Sequence, residues 1–554
     1  VSNEPSSFDL TDQPWLPVLR TDGTSDVLSL REVFAQARTL RRIVGDLPTQ
    51  EFALIRLLLA ILHDAIDGPQ DLDAWEELWN SGLPLEQITE YLDEYRERFD
   101  LLHPQTPFLQ TPSLHTAKHE VSPLDKIVAD VPNGAPYFTM RARGVERLGF
   151  AEAARWLVHA QAFDTSGIKT GAVGDPRAKG GRGYPQGVAW AGNLGGVLAA
   201  DDDLHETLLL NLIAFDTETL RADPKNDRPA WTREVPTARP MDEVEAVRRP
   251  YGPRDLYTWP SRRVRLHFDG EGVFGVVLAY GDPLAPRNLH AYEPMTAWRR
   301  SPAQEKKLKE AQVYLPRVHD PARSAWRGLG ALIAGKAEGA EQRQEAAAIV
   351  RPRILDWLAR LTIEGPLPQS RLLRARLIGA VYGTQQSIID EVIDDEVAMP
   401  VALLHEQDSE LGVEVIDAVS DAENAVGILG DLAADLARAA GDAADPRKDA
   451  ARDLGFGTLD GPFRDWLAAL KPEDDPRLAR AAWQRTARDK IRNLGEELVN
   501  AAGETAWQGR VVTTKGGREV WLSSTRADQI FAARLAKALP GARRPDDPTT
   551  EAQA

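Results

Sequence analysis

Around Pro400 the sequence changes texture, and that change constrains the fold more than any single motif. Before it, short apolar runs alternate with turns rich in Gly and Pro. After it Ala, Leu, Asp, Glu and Arg dominate, and amphipathic segments run from about Ala418 to Ala440, Arg477 to Ala502 and Arg526 to Leu539. Apolar residues at helical spacing bury one stripe, and long helices of this kind pack most simply as an antiparallel bundle. A chain of 554 residues also exceeds what one core usually organises. The expected class is α+β: a mixed domain over residues 1–392, a helical bundle over 393–545 and a flexible tail over 546–554.

Within the mixed part, Gln13-Pro14-Trp15-Leu16-Pro17-Val18-Leu19 reads as strand before the turn Thr21-Asp22-Gly23-Thr24. A helix follows Leu47-Pro48-Thr49, with Thr49 as its expected cap and Phe52, Ile55, Leu58, Leu59 and Leu62 facing the core. Glycine and proline are dense between Gly134 and Gly196, interrupted by a helical patch near Ala151 to Ala162. Residues 264–268 and 273–278 read as a hairpin across Asp269-Gly270-Glu271-Gly272.

Composition excludes several classes. The chain has no cysteine, which removes disulfides, thiolate zinc sites and cysteine nucleophiles together. No secretory signal is visible in the first thirty residues, and the apolar stretch from Phe52 to Leu62 is too short to span a bilayer and carries Arg56. A cytoplasmic address without membrane contact is expected. The formal charge of −18 argues against nucleic acid only if it is evenly spread, and it is not. From Ser387 to Asp445 there are sixteen Asp and Glu against Arg438 alone. Tyr137 to Trp190 instead holds eight Lys and Arg against four acids, and Arg287 to Arg327 nine against four. Two basic stretches are thereby available for phosphates.

No catalytic constellation emerges. Ser166-Gly167-Ile168-Lys169-Thr170 lacks the earlier glycine of a phosphate-binding loop, since Ala162 stands there, and Ile168 separates glycine from lysine. Gly181-Arg182-Gly183-Tyr184-Pro185 puts proline where a dinucleotide-binding helix should begin. His115 and His119 have metal-ligand spacing, but Thr116 occupies the place of a zinc protease's glutamate and Pro112 and Pro123 favour a loop. His319-Asp320 reads as a turn before Pro321, and Asp394-Asp395 as solvated helix face. No cofactor is expected.

What remains suits binding. Phe138-Thr139-Met140-Arg141-Ala142-Arg143-Gly144 combines an aromatic ring with alternate arginines, suited to a base and to phosphates. The repeated glycines from Gly167 through Gly171 and Gly174 to Gly183 allow close backbone approach, with Lys169, Arg177, Lys179 and Arg182 supplying charge. Gly383-Thr384-Gln385-Gln386-Ser387 is a small polar turn between apolar segments.

Read together, these pieces gain specificity. Phe8-Asp9-Leu10-Thr11-Asp12-Gln13-Pro14-Trp15, Leu47-Pro48-Thr49-Gln50-Glu51 and His103-Pro104-Gln105-Thr106-Pro107-Phe108 resemble the CasA family, the large subunit of the type I-E CRISPR surveillance complex Cascade. Gly192-Asn193-Leu194-Gly195, Arg228-Pro229-Ala230-Trp231 and Glu293-Pro294-Met295-Thr296-Ala297-Trp298 extend the likeness, which covers roughly residues 8–390. The resemblance implies a four-helix bundle at the C-terminal end and a non-catalytic subunit that reads the protospacer-adjacent motif of duplex DNA from the minor groove. Guide-RNA-containing Cascade subunits would be its partners, and a separate CRISPR nuclease-helicase would be recruited once target is bound. An early DNA-engaging loop falls on Phe138 to Gly149 with Phe138, Arg141 and Arg143. The glycine loop lies within Gly167 to Gly174, including Lys169 and Gly171, the basic finger aligns near Arg287, and the glutamine wedge on Gln386 flanked by Gln385 and Ser387. A cysteine cluster that could hold zinc in some relatives has no counterpart here. The alternative class is a hydrolase or nuclease with an unrecognised metal site, which a metal-dependent cleavage assay would reveal.

Overall fold

The computed structural model describes residues 7–131, 141–218, 220–333, 348–405, 409–513 and 517–542. They divide into two compact units. The first comprises Val1–Arg323, Ala334–Leu367 and Leu373–Glu396, and the second Ser324–Ile333, Pro368–Leu372 and Val397–Ala554.

The first unit mixes helices with small antiparallel sheets. Near its start, strand Leu16–Arg20 lies between Ser25–Leu28 and Leu40–Ile43. The helix Pro48–Ala65 runs almost entirely buried, with Phe52, Ile55, Leu58, Leu59 and Leu62 in the core as their spacing requires. Its start differs from expectation. Leu47 is the cap residue and no side chain caps the helix, because Thr49 points inward, its Oγ 3.0 Å from Nε2 of buried His159.

Arg56 sits on the same helix inside the core, bonded through both terminal nitrogens to Glu293 at 2.8 Å. Trp190 Nε1 donates to the same carboxylate at 2.9 Å, and the guanidinium lies 4.4 Å from the Tyr257 ring centroid. A buried charge is tolerated only when paired and hydrogen-bonded, so Glu293 and Trp190 make Arg56 possible there.

Three elements position the candidate site. The helix Phe150–Phe163 leads into a glycine-rich loop, the hairpin Arg262–Asp269/Gly272–Tyr280 backs that loop, and a second hairpin, Leu372–Tyr382/Ile389–Pro400, pairs with Gly196–Ala200. Asp394 and Asp395 therefore lie on a strand rather than a helix face. Asp394 accepts two bonds from Arg376, whose third partner is Glu51 near the start of the Pro48–Ala65 helix.

Among the described residues of the second unit, four long helices stand out: Ser409–Ala440, Ala444–Ala469, Pro476–Ala501 and Ser524–Ala538. Trp326, Phe463 and Trp483 meet at its centre, the Phe463 ring centroid 4.3 Å and 4.8 Å from the two tryptophans. The α+β class with a C-terminal four-helix bundle holds, with one addition. A two-stranded hairpin, Arg510–Thr513/Glu519–Leu522, precedes the last of these helices, so the unit is not purely helical.

Candidate nucleic-acid interface

The loop after Phe163 is glycine-rich because two of its segments nearly touch. Lys169–Thr170 pairs with Arg182–Gly183, and Gly171 N donates to Gly181 O at 3.0 Å. A Cβ on Gly171 would stand 2.5 Å from the Gly181 carbonyl carbon, so no side chain fits there. Gly174 has φ of 93°, open to glycine at little cost. Gly167 faces open space, its carbonyl held at 2.6 Å by the Tyr280 hydroxyl, while the neighbouring Ile168 is 55% exposed.

Lys169 does not offer its charge to a partner. Its ammonium is buried and bonds Asp164 at 2.7 Å, and Asp164 also accepts from buried Arg262. Burial pushes the Asp164 carboxyl up, but the two cations outweigh it and hold the group below the usual carboxylate range. The basic residues that composition put forward are widely committed in this way. Arg141 pairs with Glu152, Arg147 with Asp269, and Arg177 with Asp175.

The polar turn of residues 384–387 joins the strands of the second hairpin, with Thr384, Gln385 and Gln386 exposed. Gln385 and Gln386 both take left-handed backbone conformations, at φ of 57° and 55°. Two such non-glycine residues in succession are uncommon and cost energy, which the surroundings offset. Gln386 N donates to Gly383 O at 2.9 Å, Ser387 Oγ to Thr384 O at 2.9 Å, and Ser166 N to Gln386 O at 2.7 Å. The last bond ties the turn to the root of the glycine loop.

A cleft of about 1230 Å³ lies between these elements, and its lining includes Arg143, Gly167, Lys169 and Ser387. Glu120, Asp125, Asp164, Asp390 and Glu391 also line it, against Lys126, Arg143 and Lys169 among the cations, so it is not a basic groove. Asp125 fixes the early loop's base by accepting from Gly144 N and Val145 N at 3.0 and 2.8 Å. Phe138 lies outside the described residues. Arg287 is not among the residues lining the cleft. It pairs with Glu310 at 3.3 Å beside Asn288, whose φ is 55°.

Residues read as possible metal ligands have other partners. His115 and His119 stack on a loop with ring centroids 5.1 Å apart, and half-buried His319 has Nε2 2.9 Å from Gly196 O. Among the described residues no group of three or more His, Cys, Asp or Glu could hold a metal ion, and no helix is long and apolar enough to cross a membrane.

Arg262, Asp164 and Tyr280 hold the glycine-rich loop of the candidate site and escaped the sequence reading. None sits in a recognisable motif. The signal in the sequence was the run of arginines, Arg262, Arg263 and Arg265, leading into the apolar hairpin.

A mixed unit with a loop-and-hairpin face, followed by a four-helix unit, is the architecture of CRISPR-associated Cse1 proteins. The structure is similar to the crystal structure of Thermobifida fusca Cse1, with 65% identity, a TM-score of 0.90 and coverage of 97% of this chain and 99% of that one. Acidimicrobium ferrooxidans Cse1 matches at 28% identity and a TM-score of 0.80, covering 97% and 98%. The CasA/Cse1 protein of Thermus thermophilus is 31% identical over 336 residues, 59% of this chain and 60% of that protein's length. The profile of the family described as CRISPR-associated protein Cse1 matches residues 9–494. The chain belongs to the Cse1 family, the CasA large subunit of type I-E Cascade that the sequence motifs resemble.

Proposed function

We propose that this chain is the non-catalytic DNA-recognition subunit of an RNA-guided surveillance complex, reading the protospacer-adjacent motif of duplex DNA from the minor groove and starting strand separation beside it. The observation that carries this reading is the exposed Gln385–Gln386 turn, held in an uncommon backbone conformation and bonded to the glycine loop at Ser166. Gly167, with no side chain of its own and open space where a Cβ would stand, suits close approach to a narrow groove. The minor groove presents a degenerate pattern, so tolerance of several motifs follows. Beside it, uncharged glutamines long enough to insert can bond an exposed base edge as the pair opens.

In this reading Phe138, Arg141 and Arg143 engage DNA early, Arg287 is a basic contact to the flanking duplex, and Lys169 shapes the loop rather than touching phosphate. Sequence identity of the target is left to guide-RNA pairing in neighbouring subunits, and a separate nuclease-helicase is recruited for cleavage. The similarity to Cse1 proteins supports this reading, and chains of two CRISPR RNA-guided surveillance complexes share the fold at 20% and 18% identity, with TM-scores of 0.64 and 0.58.

The test is reconstitution of the guide-RNA complex with and without this chain. Omission should abolish the preference among guide-matched duplexes that differ only in their flanking bases, while binding to guide-matched single strands persists. An unchanged preference would assign motif reading to another subunit. Divalent-metal-dependent cleavage by the purified chain would favour the hydrolase alternative.

A further inference from the structure

We propose that Arg262 is the positioning residue that holds the glycine loop and the glutamine turn together as one reading edge; the inference rests on the function proposed above. Arg262 leaves the strand Arg262–Asp269 with its side chain only 3% exposed. One terminal nitrogen donates to Asp164 O at 3.0 Å, Thr165 O at 3.0 Å and Gly187 O at 3.1 Å, the other to Ser261 O at 2.9 Å, and Nε to the Asp164 carboxylate. Asp164 and Thr165 form one root of the glycine-rich loop and Gly187 the other. A single planar fork therefore clips both ends of the loop, which a lysine's point charge cannot reproduce.

The clip extends outward in two directions. The guanidinium lies 4.8 Å from the Tyr280 ring centroid, and the Tyr280 hydroxyl holds Gly167 O. Between the clipped Thr165 and that carbonyl stands Ser166, whose N–H donates to Gln386 O and whose Oγ accepts from Gly187 N at 3.1 Å. Within four consecutive residues, 164–167, the same network fixes the loop root, the Gly167 carbonyl and the glutamine turn. A binding constellation must be held to a fraction of an ångström by packed and hydrogen-bonded neighbours, and Arg262 connects to each of them: it holds Asp164, Thr165 and Gly187 directly, Gly167 through Tyr280, and Gln386 through Ser166.

The test uses the complete guide-RNA complex carrying Arg262→Lys or Tyr280→Phe, with affinities measured across guide-matched duplexes that differ only in their flanking bases and for the guide-matched single strand. Tyr280→Phe keeps the ring beside Arg262 and removes the hydroxyl's bonds to Gly167, Ser166 and Gln186, all within the loop, so it decides the matter if Arg262→Lys does not fold. The expected result is a loss of preference for the best flanking sequence, about tenfold for Arg262→Lys and about threefold for Tyr280→Phe, with single-strand affinity unchanged. Equal losses on duplex and single strand, or a preserved preference in both variants, would show that Arg262 merely supports the fold. A parent complex with no flanking preference at all would instead overturn the functional reading itself.

Discussion

The backbone N–H of Ser166 donates to the carbonyl of Gln386 at 2.7 Å, joining two segments 220 residues apart in sequence at the face where recognition is proposed. The bond presents Gln386 with its carbonyl turned inward and its side chain exposed. The left-handed conformation of Gln385 and Gln386 follows from that demand. Replacing both by glycine should leave the isolated chain as stable or more so, since each relieves about 1 kcal/mol of left-handed strain. Gln386→Val should destabilise it by roughly 1–2 kcal/mol, because a β-branched residue fits this region worst. Denaturant midpoints of the three proteins check the ordering.

Arg141 and Arg143 should contribute to phosphate binding, though the Glu152 partner of Arg141 must be displaced for it to do so. The double alanine variant should weaken binding of the complex to duplex DNA and lower the slope of log affinity against log salt by about one for each phosphate no longer neutralised. An unchanged slope would remove both from the interface.

Arg287→Ala should lower affinity for duplexes with a preferred flanking sequence more than for others, once its pair with Glu310 is exchanged for DNA. Equal losses on both would make it a nonspecific contact.

Burial holds His63 down at about 3 and His159 at about 4, against an ordinary 6.5. Both are neutral in the folded protein, and the unfolded chain binds their protons first. Their contribution is therefore complete above pH 6.5 and lost as pH falls toward 4. Between pH 7.5 and 5 this amounts to about 2 kcal/mol per histidine. His159→Gln should flatten the fall in stability over that interval, and an unaltered pH profile would show that His159 is protonated in the folded state.

The family motifs in the sequence turn out to be scaffold. Glu293 completes the buried Arg56 pair, and Trp231 donates to the Tyr91 hydroxyl at 2.7 Å. Those residues are legible because buried polar groups accept few substitutes. The site was legible only where composition was unusual, in the glycines and the glutamine pair. Its support was not, since Arg262 collects acceptors from residues 164, 165 and 187 that only the fold brings together. The helix Ala444–Ala469 escaped for a different reason. Pro462 and glycines at 455, 457 and 461 mask its pattern, yet Gly455 is where it closes on Val426 and Leu429. Thr49 shows the converse, a good cap residue recruited by a buried histidine instead.

The most direct measurement follows strand opening by the complete complex carrying Gln385→Gly/Gln386→Gly, a change that removes both side chains while keeping the backbone geometry. On fully paired, guide-matched duplex, opening should slow by roughly tenfold or more, since parting a stacked pair costs a few kcal/mol that the glutamines help offset. On a duplex whose first few pairs beside the flanking motif are already mismatched, opening should return to the parent rate. The same deficit on both targets would contradict the account, because the glutamines would then serve binding or folding rather than the opening of DNA.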